Sequence, residues 1–280
     1  MTAVEDGVLG RIEFLADADR PGGWLLTVDR IRQSYVDLDD PTYLDFEYVR
    51  VFGDVVDLLP AGPLTVTHVG GGACTLVRYV AHTRPGSRQI VLEPDEALIT
   101  QVRARLPFGR GVRVRIRPVD GRTGITALGD ASADLVVLDA FHGGRVPYEL
   151  TSREFVTQAA RVLRPDGVLL VNIADGPPMR FTRRLVNTIR TELPELLAVA
   201  DPSVLKGRRF GNVVLVASPS ALPADELRRV AARAPFPRIV HGGAQLVQFA
   251  GGAPELSDAD PMRSPEPPDA LWRVGEGDWD

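Results

Sequence analysis

From residue 64 to residue 217 short apolar runs alternate with amphipathic segments, and this alternation restricts the fold more than any other feature of the chain. Strand-length runs fall at residues 64–69, 89–92, 112–117, 133–138, 168–173 and 212–217, and helical spacing at 75–82, 95–106, 152–163, 180–193 and 224–232. A run such as 133–138 is apolar at nearly every position, so both of its faces must be covered. Parallel sheets with crossover helices on both sides meet that demand, and an α/β domain is expected.

Other patterns flank this body. Residues 11–16, 24–28 and 32–36 alternate around Pro21-Gly22-Gly23, as a small antiparallel β unit does. Over residues 43–59, Leu44, Val51, Val55, Leu58 and Leu59 share one side at helical spacing, and Pro60-Ala61-Gly62-Pro63 ends the helix. Past residue 250 the periodicity gives way to Gly251-Gly252, Pro261, Pro265, Pro267 and Pro268, an extended or mobile tail that Trp272 and Trp279 would pin in part. The expected organisation is a β unit at 1–40, the α/β domain at 41–250 and the tail at 251–280. Residues 164–167, Arg-Pro-Asp-Gly, read as a turn.

Composition narrows the function classes. At 280 residues and 44% hydrophobic the chain can bury a full core. A net charge of -5 argues against a broad basic surface for nucleic acid. No eighteen-residue apolar run is present, and Glu5, Asp6, Arg11 and Glu13 interrupt the first residues, so the expectation is a cytoplasmic protein with no membrane partner. Cys74 is the sole cysteine, which excludes an internal disulfide and suits a small buried side chain. No His, Asp and Glu cluster has metal-ligand spacing, so no metal is expected.

Ligands of open α/β sheets bind at the carboxyl ends of strands, and four such ends carry polar or glycine residues here. Gly70, Gly71 and Gly72 follow the first strand and let the backbone approach a ligand. Glu93 ends the second, where a carboxylate accepts from the two hydroxyls of a ribose. Asp120 follows the third, placed for an adenine amino group, and Asp139 ends the fourth, beside a substituent on the ribose 5′ carbon. Each has a plainer reading as turn or cap; their joint order points to a nucleoside. A nicotinamide dinucleotide would share the loop and the first acid, but residues 70–75 lack the third glycine of that fingerprint and Asp120 has no part in it.

These residues resemble the spermidine synthase family over roughly residues 29–217, in particular its actinobacterial members. Val28-Asp29-Arg30-Ile31-Arg32-Gln33 stands for the family's Leu-Asp-Gly-x-x-Gln, and Phe46-Glu47-Tyr48 for its Phe-x-Tyr. The resemblance implies a Rossmann-like adenosylmethionine-dependent methyltransferase fold with a seven-stranded, mostly parallel sheet. It implies Gln33 against the sulfonium side of the nucleoside, Glu93 on the ribose, Asp120-Gly121 at the adenine and Tyr48 in the acceptor pocket. Decarboxylated S-adenosylmethionine would be the co-substrate, a small amine the acceptor, and a homodimer through the β unit the assembly.

Two positions depart from the family. Its Gly-Gly-Gly-Asp-Gly loop reads Gly70-Gly71-Gly72-Ala73-Cys74, and its Asp-x-x-Asp-Pro gate reads Asp139-Ala140-Phe141-His142-Gly143. Aminopropyl transfer needs a base that frees the attacking amine of a proton, and carboxylates both attract the cation and accept that proton. Asp139 and His142 are the candidate catalytic groups, and Asp175 a candidate replacement acid on the acceptor. An S-adenosylmethionine-dependent methyltransferase, with Arg30 or Arg78 pairing the donor's carboxylate, and a nucleoside-binding protein without transfer activity are the alternatives. Arg145 on the gate loop would repel a polyamine if it faced inward.

Overall fold

The computed structural model describes residues 3–7, 10–268 and 272–274. The amino-terminal strands β1 (Ala3–Gly7), β2 (Gly10–Ala16), β3 (Gly23–Val28) and β4 (Ile31–Asp37) form a four-stranded antiparallel sheet in sequence order. The turn at Gly22-Gly23 and the pairing of Ile12 with Val28 set its register. Its inner face carries Ile12, Phe14, Leu26 and Val36.

Helix α1 (Glu47–Leu58) leads into the alternating body: β5 (Thr65–Val69), α2 (Thr75–Thr83), β6 (Arg88–Leu92), α3 (Glu96–Arg105), β7 (Val114–Arg117), α4 (Gly121–Thr126), β8 (Ala133–Leu138), α5 (Arg153–Val162), β9 (Leu163–Asp175) and α6 (Arg180–Arg190). Then follow β10 (Glu195–Ala200), α7 (Pro202–Leu205), β11 (Gly211–Ser218), α8 (Ala224–Ala232), β12 (Ile239–Gly242) and α9 (Gly243–Ala250). The main sheet has the order β12-β10-β11-β9-β8-β5-β6-β7. Strands β5 to β9 run parallel, while β10, β11 and β12 join by antiparallel pairing.

The apolar run of β8 divides as a doubly covered strand must. Val136 and Leu138 face the cluster containing Phe155, Phe181 and Ile189, and Leu135 and Val137 face the cluster containing Phe52, Val55 and Val80. Burying whole aliphatic side chains on both faces stabilises by about 1.5–3 kcal/mol each, before ordering entropy is subtracted.

The sheet holds eight strands, one more than expected. The strands that the alternating pattern did not include are β10, between Pro194 and Asp201-Pro202, and the glycine-rich stretch at His241, which is the edge strand β12 paired with β10. The expected turn at 164–167 lies within β9 as a bulge: Ala133 pairs with Leu163 but Leu135 pairs with Val168. Ser218 and Ser220 donate to the carbonyls of Gly167 and Pro165 and hold the bulge.

The tail is extended and pinned to the body. Leu256 is 1% exposed inside the larger core cluster, and Arg122 and Arg184 pair with Asp258 and Asp260. Trp272 sets its ring against Phe141 and Phe210. Trp279, the other expected anchor, lies outside the described residues. Among the described residues no helix is long and apolar enough to cross a membrane.

Candidate active site

The chain runs outward from β5 to β6 and β7, then returns to place β8 on the other side of β5. At such a reversal the loops leaving the two central strands part, and a crevice opens beyond their carboxyl ends. A cavity of about 510 Å³ fills it here. Its walls include Gln33, Ser34, Tyr48, Gly70 to Gly72, Glu93, Asp120, Gly121, Asp139 and His142.

The glycine loop is shaped by its neighbours. Gly70 has φ +95°, and a Cβ there would run into the carbonyl oxygen of Asp139. Gly72, at φ +47°, would meet the hydroxyl of Ser34. Both positions need glycine for conformation and for space. Gly70 N–H donates to Leu92 O at 2.9 Å and Asp139 N–H to Val69 O at 2.9 Å, which ties the loop to both adjacent strands.

Glu93 is 6% exposed and sits beneath this loop. Its Oε2 accepts from Gly71 N at 2.9 Å and its Oε1 from Asp95 N at 3.1 Å, and burial raises its pKa against those bonds. One carboxylate thus ties the glycine loop to the start of α3 from a position in the cavity wall. Asp120 caps α4 by accepting from Thr123 N at 2.8 Å. Burial would raise its pKa, but the bonds from Thr123 and Arg122 prevail and hold it below the ordinary value. Gly121 behind it has no room for a Cβ, which would meet Val69 and Leu150.

Asp139 is a cavity acid with a strongly raised pKa. Desolvation pushes its pKa up to about 6 although Asn172 and Tyr48 both donate to it. Asn172 Nδ2 lies 2.9 Å from Asp139 Oδ1, and Asn212 Nδ2 lies 3.0 Å from Asn172 Oδ1. A carboxylate with a pKa near 6 and no cation among these partners is poised to take up a proton close to neutral pH.

The remaining candidates separate. Tyr48 reaches Asp139 from the first turn of α1. Gln33 lines the cavity from β4. His142 stands exposed at the mouth, on a tight turn whose backbone pairs with Arg145. Asp175 does not fit the role of a substrate acid: its oxygens accept from Gly176 N, Thr182 N and Thr182 Oγ1, each at 2.8 Å, and it is not among the cavity walls. It organises the entry to α6, a demand that follows from how the chain reverses there.

Arg78 likewise faces away, donating to the carbonyls of Ala73, Leu106 and Pro107 and lying over the Phe108 ring. Arg30 is not a wall of the cavity either, whereas Arg32 is, its guanidinium 5.8 Å from the Phe46 ring centre. Arg145 pairs with Glu266 of the tail at 2.5 Å.

Ala73 is fully buried in the cluster of Ile12, Phe14, Leu26 and Leu98, so this position anchors the amino-terminal sheet and does not line the cavity. Cys74 is buried with its thiol pKa pushed up to about 12 by desolvation, which leaves it unreactive. His68, inside β5, hydrogen-bonds Gln89 at 2.9 Å, and burial lowers its pKa to about 4.

Ser34, Asn172, Asn212, Phe210 and Trp272 also line the cavity and were not legible as site residues. Asn172 and Asn212 stand inside apolar strands, and a buried asparagine among valines and leucines was the available signal.

No family model matches the chain. The crystal structure of a probable spermidine synthase from Corynebacterium glutamicum superposes with a TM-score of 0.85 at 30% identity, covering 92% of this chain and 96% of that one. The chain belongs to the spermidine synthase family.

Two further relatives share less of the sequence. A polyamine aminopropyltransferase of Chromobacterium violaceum is 28% identical over 204 residues, 70% of this chain and 74% of that protein. A spermidine synthase crystallised with the transition-state analogue AdoDATO has the same fold, with a TM-score of 0.59 at 15% identity over 92% of this chain and 81% of its own. Among the described residues no group of His, Cys, Asp and Glu is arranged to hold a metal ion.

Proposed function

We propose that this spermidine synthase relative binds decarboxylated S-adenosylmethionine and transfers its aminopropyl group to a small amine, with Asp139 as the proton acceptor. The observation that carries the reading is the position of Asp139 at the end of β8. Its backbone N–H is tied to the strand before the glycine loop, and its carboxyl is buried, oriented by Asn172 and Tyr48, and tuned to about 6.

In the reaction the amine nitrogen attacks the aminopropyl carbon bonded to sulfur. The carbon–sulfur bond breaks with its electron pair going to the sulfonium, which becomes the neutral thioether of methylthioadenosine, and the nitrogen's proton passes to Asp139. Glu93 takes the ribose hydroxyls, Asp120 the adenine amino group, and Gln33 with Gly70 to Gly72 the sulfonium side. Holding both reactants in one water-poor cavity supplies much of the acceleration. His142 stands at the entrance, where an imidazole can pass the proton to solvent.

Intact S-adenosylmethionine carries a carboxylate that calls for a cation by the glycine loop. Arg78, the arginine of the helix after that loop, spends its donors on backbone carbonyls, and Arg30 is not a cavity wall, so neither of these two supplies that cation. Calorimetric titration with methylthioadenosine, S-adenosylmethionine and its decarboxylated form tests the reading. Tighter binding of the decarboxylated form is expected; preference for S-adenosylmethionine would redirect it to methyl transfer, and binding of none would sink it.

A further inference from the structure

The stretch after α9 makes three separate attachments to the body of the protein. Arg153 N donates to Leu256 O at 2.8 Å and the Leu256 side chain is 1% exposed, so the first attachment is to α5 and the main core. The second grips the gate loop. Val146 N donates to the buried Ser264 Oγ at 2.9 Å, Glu266 pairs with Arg145, and Pro267 sits so close over Gly144 that a Cβ there would lie 2.6 Å from its Cγ. The third is to the amino-terminal sheet: Arg273 bridges to Ile31 at the start of β4, and Val274 N donates to Arg30 O at 2.9 Å.

The gate loop, through Ala140 to Gly144, and β4, through Ile31 to Ser34, are separate walls of the cavity, and the tail joins them. Trp272 marks the joint. Its ring centre lies 5.9 Å from that of Phe141, two residues past Asp139, and 5.9 Å from that of Phe210, which leads into β11. All three rings line the cavity.

The attachments are unequal. Leu256 and Ser264 are buried, whereas Arg273 is exposed and Trp272 and Val274 are half-buried. Segments open locally where burial is least and backbone bonds are few, so the joint with β4 gives way before the grip on the gate loop. Opening then carries residues 144–146 and the tail together and parts Trp272 from Phe210.

We infer that the tail is a strap that latches the gate loop to β4 across the cavity, with Trp272 as the latch, and that its release sets how fast small molecules enter and leave. The strap lies beyond the aminopropyl-transfer reading and holds for any ligand that uses the cavity. A latch and a contact differ in their kinetics. A latch that is closed with and without ligand slows association and dissociation alike, whereas a side chain that only touches the ligand slows dissociation.

Amide hydrogen exchange on the full chain, and surface plasmon resonance with methylthioadenosine, test the inference. Trp272→Ala is expected to speed exchange at Val274 about tenfold and at Val146 less. It should raise both rate constants for methylthioadenosine while the affinity changes by less than about threefold. Gly144→Ala, whose Cβ would displace Pro267, should speed exchange at both amides. Gly143→Ala is the control, because Gly143 has φ +56° but open space around it, and exchange at Val274 should keep the wild-type rate. Unchanged exchange at Val274 in both Trp272→Ala and Gly144→Ala, or an effect of Trp272→Ala on dissociation alone, overturns the inference. Failure of methylthioadenosine to bind the wild type counts against the nucleoside reading, and the exchange rates without ligand then decide the strap.

Discussion

Asn172 Nδ2 donates to Asp139 Oδ1 at 2.9 Å across neighbouring strands, and Asn212 fixes which end of that amide faces the acid by donating to its oxygen at 3.0 Å. With Tyr48 donating as well, Asp139 is oriented by three neutral side chains. None of these partners offsets its charge with a positive one, so burial dominates and the pKa rises to about 6.

Asp139→Asn should therefore separate stability from function. The folded state holds a proton on Asp139 up to about pH 6, whereas the unfolded chain releases it near the ordinary value of 3.8. Wild-type stability gains a component below pH 4 that is lost as pH rises through 6. Asparagine keeps an oxygen for Asn172, and the Tyr48 hydroxyl can turn to accept from the new amide. At pH 7.5 the variant should be more stable by about 1–3 kcal/mol, the difference closing below pH 4, while aminopropyl transfer is lost. Urea titrations of both proteins across pH 4–8 check this; a difference independent of pH would show that Asp139 titrates normally.

Gly70→Ala should damage both the fold and the ligand site. The residue has φ +95° and its Cβ would strike the backbone of Asp139, so the loop must shift or β8 must move. A loss of about 1–3 kcal/mol in unfolding free energy is expected, with methylthioadenosine binding weakened at least tenfold. Gly62→Ala is the control for conformation alone, since it too has positive φ but open space around its Cα.

Glu93→Gln should weaken nucleoside binding beyond the loss of a single contact. Gly71 N–H and Asp95 N–H each need an acceptor, and an amide offers only one oxygen. One buried N–H then faces an NH₂ group, at about 1–3 kcal/mol, and the glycine loop loosens. Hydrogen exchange at Gly71 and Asp95, measured beside methylthioadenosine affinity, should show faster exchange at one amide; unaltered exchange at both would mean the carboxylate does not organise the loop.

Leu256→Ala should release the tail from the body. The side chain is 1% exposed within the main core cluster, and its removal should cost about 2–4 kcal/mol. The nearby Arg122–Asp258 pair is partly exposed, and Asp258→Asn should cost under about 1 kcal/mol. Limited proteolysis should cut Leu256→Ala within residues 257–268 first and leave Asp258→Asn near the wild-type rate.

The sequence by itself determined the α/β architecture, because an unbroken apolar strand such as 133–138 has no other way to cover both faces. It also gave the order of polar groups along the sheet edge, since Gly70 to Gly72, Glu93, Asp120 and Asp139 each follow a strand and parallel strands bring those ends to one side. Tertiary structure decided what those groups face. Position 73 looks like a site residue by its place in the loop, yet the left-handed turn at Gly72 sends it into the amino-terminal sheet. Asp175 is another strand-end acid, but the chain reversal after β9 claims its oxygens. Asn172, Asn212 and Trp272 come from two strands and the tail, and nothing local in the sequence joins them. Their meeting around one cavity depends on long-range pairing of β9 with β8 and β11, and on a tail held by one buried leucine and a few polar contacts.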